Sequence, residues 1–223
     1  MRSGLAAVAS VIAALLGLEG WAGYRVACIK PSIFVPSSRI APVFLKATVA
    51  MEDGNFYRHG AIDLQAISHA IQANIRDRRN SHGGSTISQQ LAKNLFLTKE
   101  RTWGRKFLEV FLANEFERQW GKDRILETYV NTIDYGMGQH GIEAAARCYF
   151  HKSPIKLTLA ESALLVGIVP YSPKKWLSKE LAELQRSKAI GRISYWFPDE
   201  FTQAELDSAL MQPINSMMPD FPK

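Results

Sequence analysis

The chain has few cysteines: only Cys28 and Cys148 occur among its 223 residues, with no CxxC pair and no Cys/His cluster. A zinc module and a disulfide framework are therefore excluded. Charged residues make up 22% and hydrophobic residues 47%, so the charge excess of a disordered protein is also missing. The net charge of +6 favours anionic partners, which include phosphates, anionic lipid surfaces and nucleic acid.

Alternation of apolar and polar residues is nearly absent, which disfavours β-strands. Apolar residues instead recur at steps of three and four, as at Leu64, Ile67, Ile71 and Ile75. Thr86 and Thr158 each begin a capping-box pattern, which marks the start of a helix. The sequence therefore predicts a mainly α fold, with helices near 41–51, 63–79, 86–97, 103–120, 122–132, 138–150, 158–168, 180–196 and 202–211.

The N-terminal segment carries a single charged residue, Glu19, between Arg2 and Arg25. At about 1.5 Å of rise per residue, a helix over residues 3–24 is roughly 33 Å long, which matches a hydrocarbon core of about 30 Å. This segment is therefore predicted to be a single transmembrane helix, with Glu19 near the membrane interface.

The alternative for the same segment is a cleaved signal peptide, with an apolar region at Leu5–Leu16 and small residues around Trp21 before the cut. Either interpretation sends the remainder of the chain across a membrane. Pro31 and Pro36 indicate a linker after this segment. The predicted organisation is an anchor and its flank at 1–29, a linker at 30–40, one helical domain at 41–212 and a tail at 213–223.

The first candidate for chemistry is the pair Glu52 and Asp53, which follows an apolar helix and precedes Gly54. A carboxylate that leaves a helix at a buried boundary is a candidate general base, because desolvation raises its pKa toward working pH. Adjacent acids near helix ends are also common without any catalytic role. The local pattern alone leaves both interpretations open.

The second candidate is the segment in which Gly83 and Gly84 lead into a helix capped by Thr86. Free backbone N–H groups and the positive end of the helix dipole suit such a start to binding an anion. A well-capped helix without a ligand has the same pattern. The segment is not a P-loop, because Lys93 comes well after Thr86 and no strand precedes it.

The third candidate is a row of charges, since Arg101, Arg105 and Glu109 share one face of a continuous helix. They form either a solvated salt-bridge row or a phosphate clamp beside a second catalytic carboxylate. In the following helix, Glu127 and Asn131 are the polar candidates for a supporting role.

Four motifs occur in order between residues 52 and 131, namely EDxxFxxH, GxSTIxQQxxKN, RKxxE and KxxILExYxN. Together they resemble the peptidoglycan glycosyltransferases of glycosyltransferase family 51, in their monofunctional membrane-anchored form. The resemblance covers roughly residues 40–175 and implies a lysozyme-like, two-lobed helical fold with a membrane-dipping jaw between the first two motifs. Two positions depart from the family pattern, since Ala61 replaces a usual glycine and Ser88 a usual threonine.

The resemblance implies that Glu52 is the catalytic base and Glu109 a second catalytic carboxylate. In the reaction that the resemblance implies, the acceptor's GlcNAc 4-hydroxyl attacks the donor's MurNAc anomeric carbon, with inversion and release of undecaprenyl diphosphate, so that lipid II is polymerised. A divalent cation, Mg or Mn, is expected near Glu109. The residues expected to bind substrate are Ser85, Gln90, Lys93, Arg101 and Arg105.

The same resemblance implies a single-pass protein of the bacterial cytoplasmic membrane with its catalytic domain on the outer face. Its expected partners are lipid II, the nascent glycan and cell-wall synthesis proteins. Among these is a separate transpeptidase, since no KTG segment follows an SxxK here. The basic run at 76–79 either contacts anionic headgroups or is a solvated helix end.

Two other classes are alternatives. A lysozyme-like muramidase or lytic transglycosylase shares the acidic pair, but acts on finished peptidoglycan and needs no phosphate clamp. A basic scaffold or nucleic-acid binder accounts for the charge. Nucleic acid is disfavoured because the C-terminal portion is exported and aromatic-interleaved basic stretches are missing.

Overall fold

The computed structural model describes residues 34–77, 83–97, 102–168 and 178–214, together with four residues between 17 and 21. Within these ranges the chain forms nine α-helices and three short 3₁₀ helices, and its β pairing is limited to a bridge between Asp134 and His140. The α-helices are α1 (Pro42–Glu52), α2 (Leu64–Asp77), α3 (Ile87–Phe96), α4 (Trp103–Gln119), α5 (Lys122–Thr132), α6 (Ile142–Phe150), α7 (Leu159–Ile168), α8 (Lys179–Trp196) and α9 (Gln203–Met211). The predicted mainly α fold is confirmed.

One helix begins later than the sequence pattern predicts. Helix α6 was expected from residue 138 and starts at Ile142. Gly136, Gly138 and Gly141 all have positive φ, which ends any helix before Ile142. Gly141 also passes so close to α5 that a Cβ atom would lie 2.6 Å from the carbonyl oxygen of Asn131.

The helices form two groups that share one hydrophobic core. Helix α1 packs against α7 and α8, while α3 packs against α4 and α5. Helix α7 is buried at every position from 160 to 167, so it is the interior helix of its group. The C-terminal end of α1, which carries Glu52, is thereby held between elements from distant parts of the chain.

Helix α2 differs from the others because it has no buried residue. Its apolar side chains face solvent, with exposed fractions of 75% for Leu64, 54% for Ile71 and 73% for Ile75. The helix is anchored at its underside, where Gly84 leaves no space for a Cβ beside the backbone of Ile67. An outward-facing apolar surface of this kind is typical of a contact with a membrane or with another protein.

The segment before α1 is tied to α5 by the two polar residues that the fourth motif supplies. Asn131 accepts a hydrogen bond from the backbone N–H of Val35 and donates to the carbonyl of the same residue, each over 2.9 Å. Glu127 accepts from the backbone N–H of Ser37. These contacts fix where the linker enters the domain.

The predicted membrane segment lies almost entirely outside the described residues. No helix within the described part of the chain combines the length and apolar character needed to cross a membrane.

Candidate active site

A cleft of about 460 Å³ opens where the C-terminal end of α1 meets α2, the start of α3 and the end of α8. Glu52 and Asp53 lie on one side of it, and Ser85 lines it from the loop before α3. The far wall is formed by α8. The first two motifs therefore meet at one concave surface.

Glu52 is the last residue of α1 and its side chain is partly buried. The amide nitrogen of Gln90 donates to its Oε2 over 2.7 Å. The hydroxyl of Tyr129, fully buried on α5, donates to the amide oxygen of Gln90 over 3.0 Å. Because the Gln90 oxygen is occupied by Tyr129, the amide presents its nitrogen to the carboxylate.

Burial raises the pKa of the Glu52 carboxyl, and the nearby charge of Asp53 acts in the same direction. The hydrogen bond from Gln90 and the positive charges of Arg192 and Lys93 act in the opposite direction. A carboxylate whose pKa lies above its ordinary value is a stronger base. The surroundings of Glu52 therefore make its carboxylate a better proton acceptor than an exposed glutamate.

Asp53, next to the candidate base, has a structural role. Its Oδ2 accepts from the backbone N–H of Ile87 over 3.0 Å, and its Oδ1 lies 2.7 Å from His59 Nε2. Thr86 and Gln89 form a complete capping box at the same helix start. Asp53 and this capping box thus bind the backbone N–H groups of Thr86, Ile87 and Gln89, which favours the well-capped helix over the anion site considered from the sequence.

The two positions that depart from the family pattern, Ala61 and Ser88, fit this arrangement. The carbonyl of Ala61 accepts from the Thr86 hydroxyl over 2.8 Å. Ser88 donates to Glu117 over 2.5 Å, and Lys122 donates to the same Glu117 oxygen over 2.7 Å. The Lys122 ammonium also lies 4.4 Å from the ring centre of Phe56. Residues of three motifs therefore converge beneath the cleft.

Glu109 is 3% exposed and forms ion pairs with Arg105 and Lys106 on its own helix. The Lys106 ammonium also contacts the Ser85 hydroxyl over 3.2 Å. This burial is inconsistent with a solvated salt-bridge row. The contact between Lys106 and Ser85 connects the third motif to the rim of the cleft.

The predicted substrate-binding residues within the described ranges lie at different distances from the cleft and from Glu52. Ser85 lines the cleft, and Gln90 contacts Glu52. Lys93 is exposed on α3, close enough to Glu52 to affect its pKa. Arg101 lies outside the described residues.

Three cleft residues were not singled out by sequence analysis. Arg192, Tyr195 and Trp196 line the cleft from the last turns of α8. Their spacing of three and four places them on one helix face, but no local pattern shows that this face meets Glu52. The ring of Tyr129 is buried in the core, while its hydroxyl contributes to the site.

The carboxylates in the described residues that could hold a metal ion already have partners from the protein. Both oxygens of Glu109 are paired with cations, Lys106 on one and Arg105 on the other. Asp53, His59 and Asp63 lie close together, but both Asp53 oxygens are already occupied by the Ile87 N–H and by His59. In this second cluster, the hydrogen bonds of Asp53 connect His59 to the start of α3.

These features define a mainly helical protein with a partly buried carboxylate in a cleft, bordered by cationic side chains. A family model described as transglycosylase matches residues 28–193, and the chain belongs to the transglycosylase family. Penicillin-binding protein 2D of Bacillus subtilis is 40% identical over 82% of this chain and 26% of its own length. A biosynthetic peptidoglycan transglycosylase of Caulobacter vibrioides is 43% identical over 71% of this chain and 69% of its own length.

The chain spans about a quarter of the first of these relatives and about two thirds of the second. A crystal structure of penicillin-binding protein 1A from Haemophilus influenzae aligns with 82% of this chain and 18% of its own, at 21% identity and a TM-score of 0.45.

Proposed function

We propose that this protein is a peptidoglycan glycosyltransferase that polymerises lipid II into glycan strands and releases undecaprenyl diphosphate. The observation that carries the proposal is the Glu52 carboxylate, which lies in the cleft with a raised pKa and accepts a hydrogen bond from the oriented amide of Gln90. Family membership supplies the reaction class.

Glu52 acts as general base in this proposal. The acceptor hydroxyl is a poor nucleophile, so its proton passes to Glu52 as the oxygen attacks the anomeric carbon of the donor. The bond from that carbon to the diphosphate oxygen breaks on the opposite face, which inverts the configuration. The electron pair of the broken bond leaves with the diphosphate.

The N-terminus of α3 is already capped by Asp53, so it is not the group that binds the diphosphate. Cationic side chains stabilise the charge that develops on the diphosphate instead. Lys93 is exposed beside the cleft, and Lys106 reaches its rim at Ser85. Arg105 shares Glu109 with Lys106, so Glu109 holds both cations in place. This gives Glu109 a supporting role in binding the leaving group.

A metal has no assigned place in this mechanism. The expectation of Mg or Mn near Glu109 stays a prediction, and a cation bound there would have to displace Lys106 or Arg105 from the carboxylate. Every step above uses side chains of the chain itself.

The exposed apolar face of α2 supports contact with a membrane, where a lipid-linked substrate resides. The two helix groups on either side of Glu52 support a lysozyme-like, two-lobed arrangement. We further propose the predicted anchor at 3–24, the outer face of a bacterial cytoplasmic membrane, and a separate transpeptidase as partner. Deleting residues 1–29 should then lower the rate on liposome-borne lipid II more than on detergent-dispersed lipid II.

The test is incubation of the purified protein with lipid II, with the products separated by size. Glycan polymer is expected from the parent and none above background from Glu52→Gln. If finished peptidoglycan is digested while lipid II stays unpolymerised, the protein is a muramidase or lytic enzyme and the proposal is wrong.

A further inference from the structure

The last turns of α8 press against the turn that carries Glu52. The guanidinium of Arg192 donates to the carbonyl of Met51, one residue before Glu52. A Cβ atom on Gly54 would lie 1.9 Å from the indole of Trp196, so the chain after Glu52 is in direct contact with α8. Both sides of the Glu52 backbone are therefore in contact with one helix.

Glu52 lies at the negative end of the α1 helix dipole, and the positive charge of Arg192 lies near the same end. A helix C-terminus carries partial negative charge and unpaired carbonyl groups, so a carboxylate there is unfavourable. The last turn of α1 contains no basic residue of its own. Arg192 brings a positive charge and a hydrogen-bond donor from another helix to this end.

We propose that Arg192 is a positioning residue for the general base, because it caps the C-terminal end of α1 and holds the Glu52 carboxylate ionised and fixed at the cleft. This inference rests on the proposed function, in which Glu52 accepts the proton. The family motifs end before α8, so this role was not expected from them.

Other groups also face Glu52, and the test has to separate them from Arg192. The neighbouring acid is Asp53, and the second cation is Lys93 on α3. The uncharged groups around Glu52 are Gln90, Tyr129 and Tyr135. A variant at Arg192 leaves all five unchanged.

The experiment compares Arg192→Gln with Arg192→Lys in the full chain. The glutamine removes the charge, so the pKa of Glu52 should rise and the acidic limb of the pH–rate profile should move to higher pH. A shift of about 0.5 pH unit corresponds to roughly a threefold change in the ionised-to-protonated ratio of Glu52. The lysine keeps the positive charge, so the acidic limb should stay at the pH of the parent. Its kcat should be lower, because an ammonium group cannot reproduce the geometry of the guanidinium at the Met51 carbonyl.

Lys188→Gln is the matched control, since it removes one exposed positive charge from the same helix outside the cleft. It should leave the profile unchanged. The Glu52 titration is also read directly, by NMR on protein with 13C-labelled glutamate, which needs no turnover. Thermal unfolding of each variant is measured first.

The outcomes separate this inference from the proposed function. If the parent makes no polymer but Arg192→Gln still raises the Glu52 titration midpoint, the proposed function fails while the positioning contact stands. If the titration and the acidic limb match those of Lys188→Gln, the positioning role is wrong. A rise in KM with an unchanged limb also overturns it, because Arg192 would then contact substrate.

Discussion

The Gln90 amide nitrogen lies 2.7 Å from a carboxylate oxygen of Glu52 and donates a hydrogen bond to it. The orientation of that amide is set from below by the Tyr129 hydroxyl. This hydrogen bond fixes the position of Oε2, and no described residue donates a hydrogen bond to the other oxygen, Oε1, which is left for a proton. Residues from the first, second and fourth motifs thus act on one carboxylate.

Replacing Glu52 by glutamine should abolish polymer formation while the protein stays folded. Glutamine has nearly the same shape but cannot accept the proton, and loss of a general base typically costs about 100-fold or more in rate. Size-resolved product analysis with lipid II measures this. Polymer at near the parent rate would contradict the assignment of Glu52.

The same variant should be at least as stable as the parent at neutral pH. Because burial raises the pKa of Glu52, the folded protein binds its proton more tightly than the unfolded chain does. The stability from this group is complete below the unfolded pKa and is lost as pH rises through the folded pKa. Urea unfolding at pH 5 and pH 8 should show a smaller loss of stability with rising pH for Glu52→Gln.

Tyr129→Phe tests whether the orientation of Gln90 matters. The variant leaves a partly buried amide oxygen without its donor, which should cost about 1 kcal/mol of unfolding free energy. It also frees the Gln90 amide to rotate, so kcat should fall by about tenfold.

Tyr149→Phe is the control for this change. Its hydroxyl donates to the carbonyl of Tyr135 over 2.9 Å and does not contact Gln90 or Glu52. It should lower stability by a similar amount and leave kcat near the parent value. Equal losses of kcat in both variants would mean that Tyr129 acts only through stability.

The sequence was sufficient to predict the helices that carry the candidate site, because the patterns that predict these helices are local. The Thr86 and Gln89 capping box and the apolar spacing of α3 and α5 can be seen within short windows, and both elements form as predicted. The motif that contains Glu52 marks the end of an apolar helix. Such features depend on neighbours within a few residues.

The interpretation of the helix start after Gly84 as an anion site was not supported, for a reason that is not local. The carboxylate that caps it, Asp53, lies 34 residues away along the chain. Arg192 is 141 residues from the Met51 carbonyl that it contacts. Contacts at such separations are set by packing of whole helices, which no spacing rule within one segment reveals.

Lys93→Ala should weaken binding of a diphosphate-bearing donor analogue by about tenfold, since a charge-assisted hydrogen bond contributes about 1.5–3 kcal/mol. Binding of an acceptor analogue without diphosphate should change little. Lys156→Ala, at an exposed lysine outside the cleft, is the control. Isothermal titration with both ligands measures the difference, and equal losses would show that Lys93 does not act on the diphosphate.

The double variant Ile71→Glu with Ile75→Glu tests the apolar face of α2. Burying an isoleucine in an apolar environment contributes about 1.5–3 kcal/mol, and two carboxylates at a lipid surface add an opposing cost. The rate on lipid II in liposomes should therefore fall by at least about tenfold, and the rate in detergent micelles should fall less, because micelles adapt to the protein surface.

The control for this double variant removes two exposed apolar side chains elsewhere and adds the same charge. Leu184 on α8 and Met211 on α9 are 50% and 83% exposed, so Leu184→Glu with Met211→Glu matches both changes. It should leave both rates near the parent values, since α2 keeps its apolar face. If the two double variants lost the same fraction of activity in liposomes, general surface charge would explain the effect and α2 would have no special contact with the membrane.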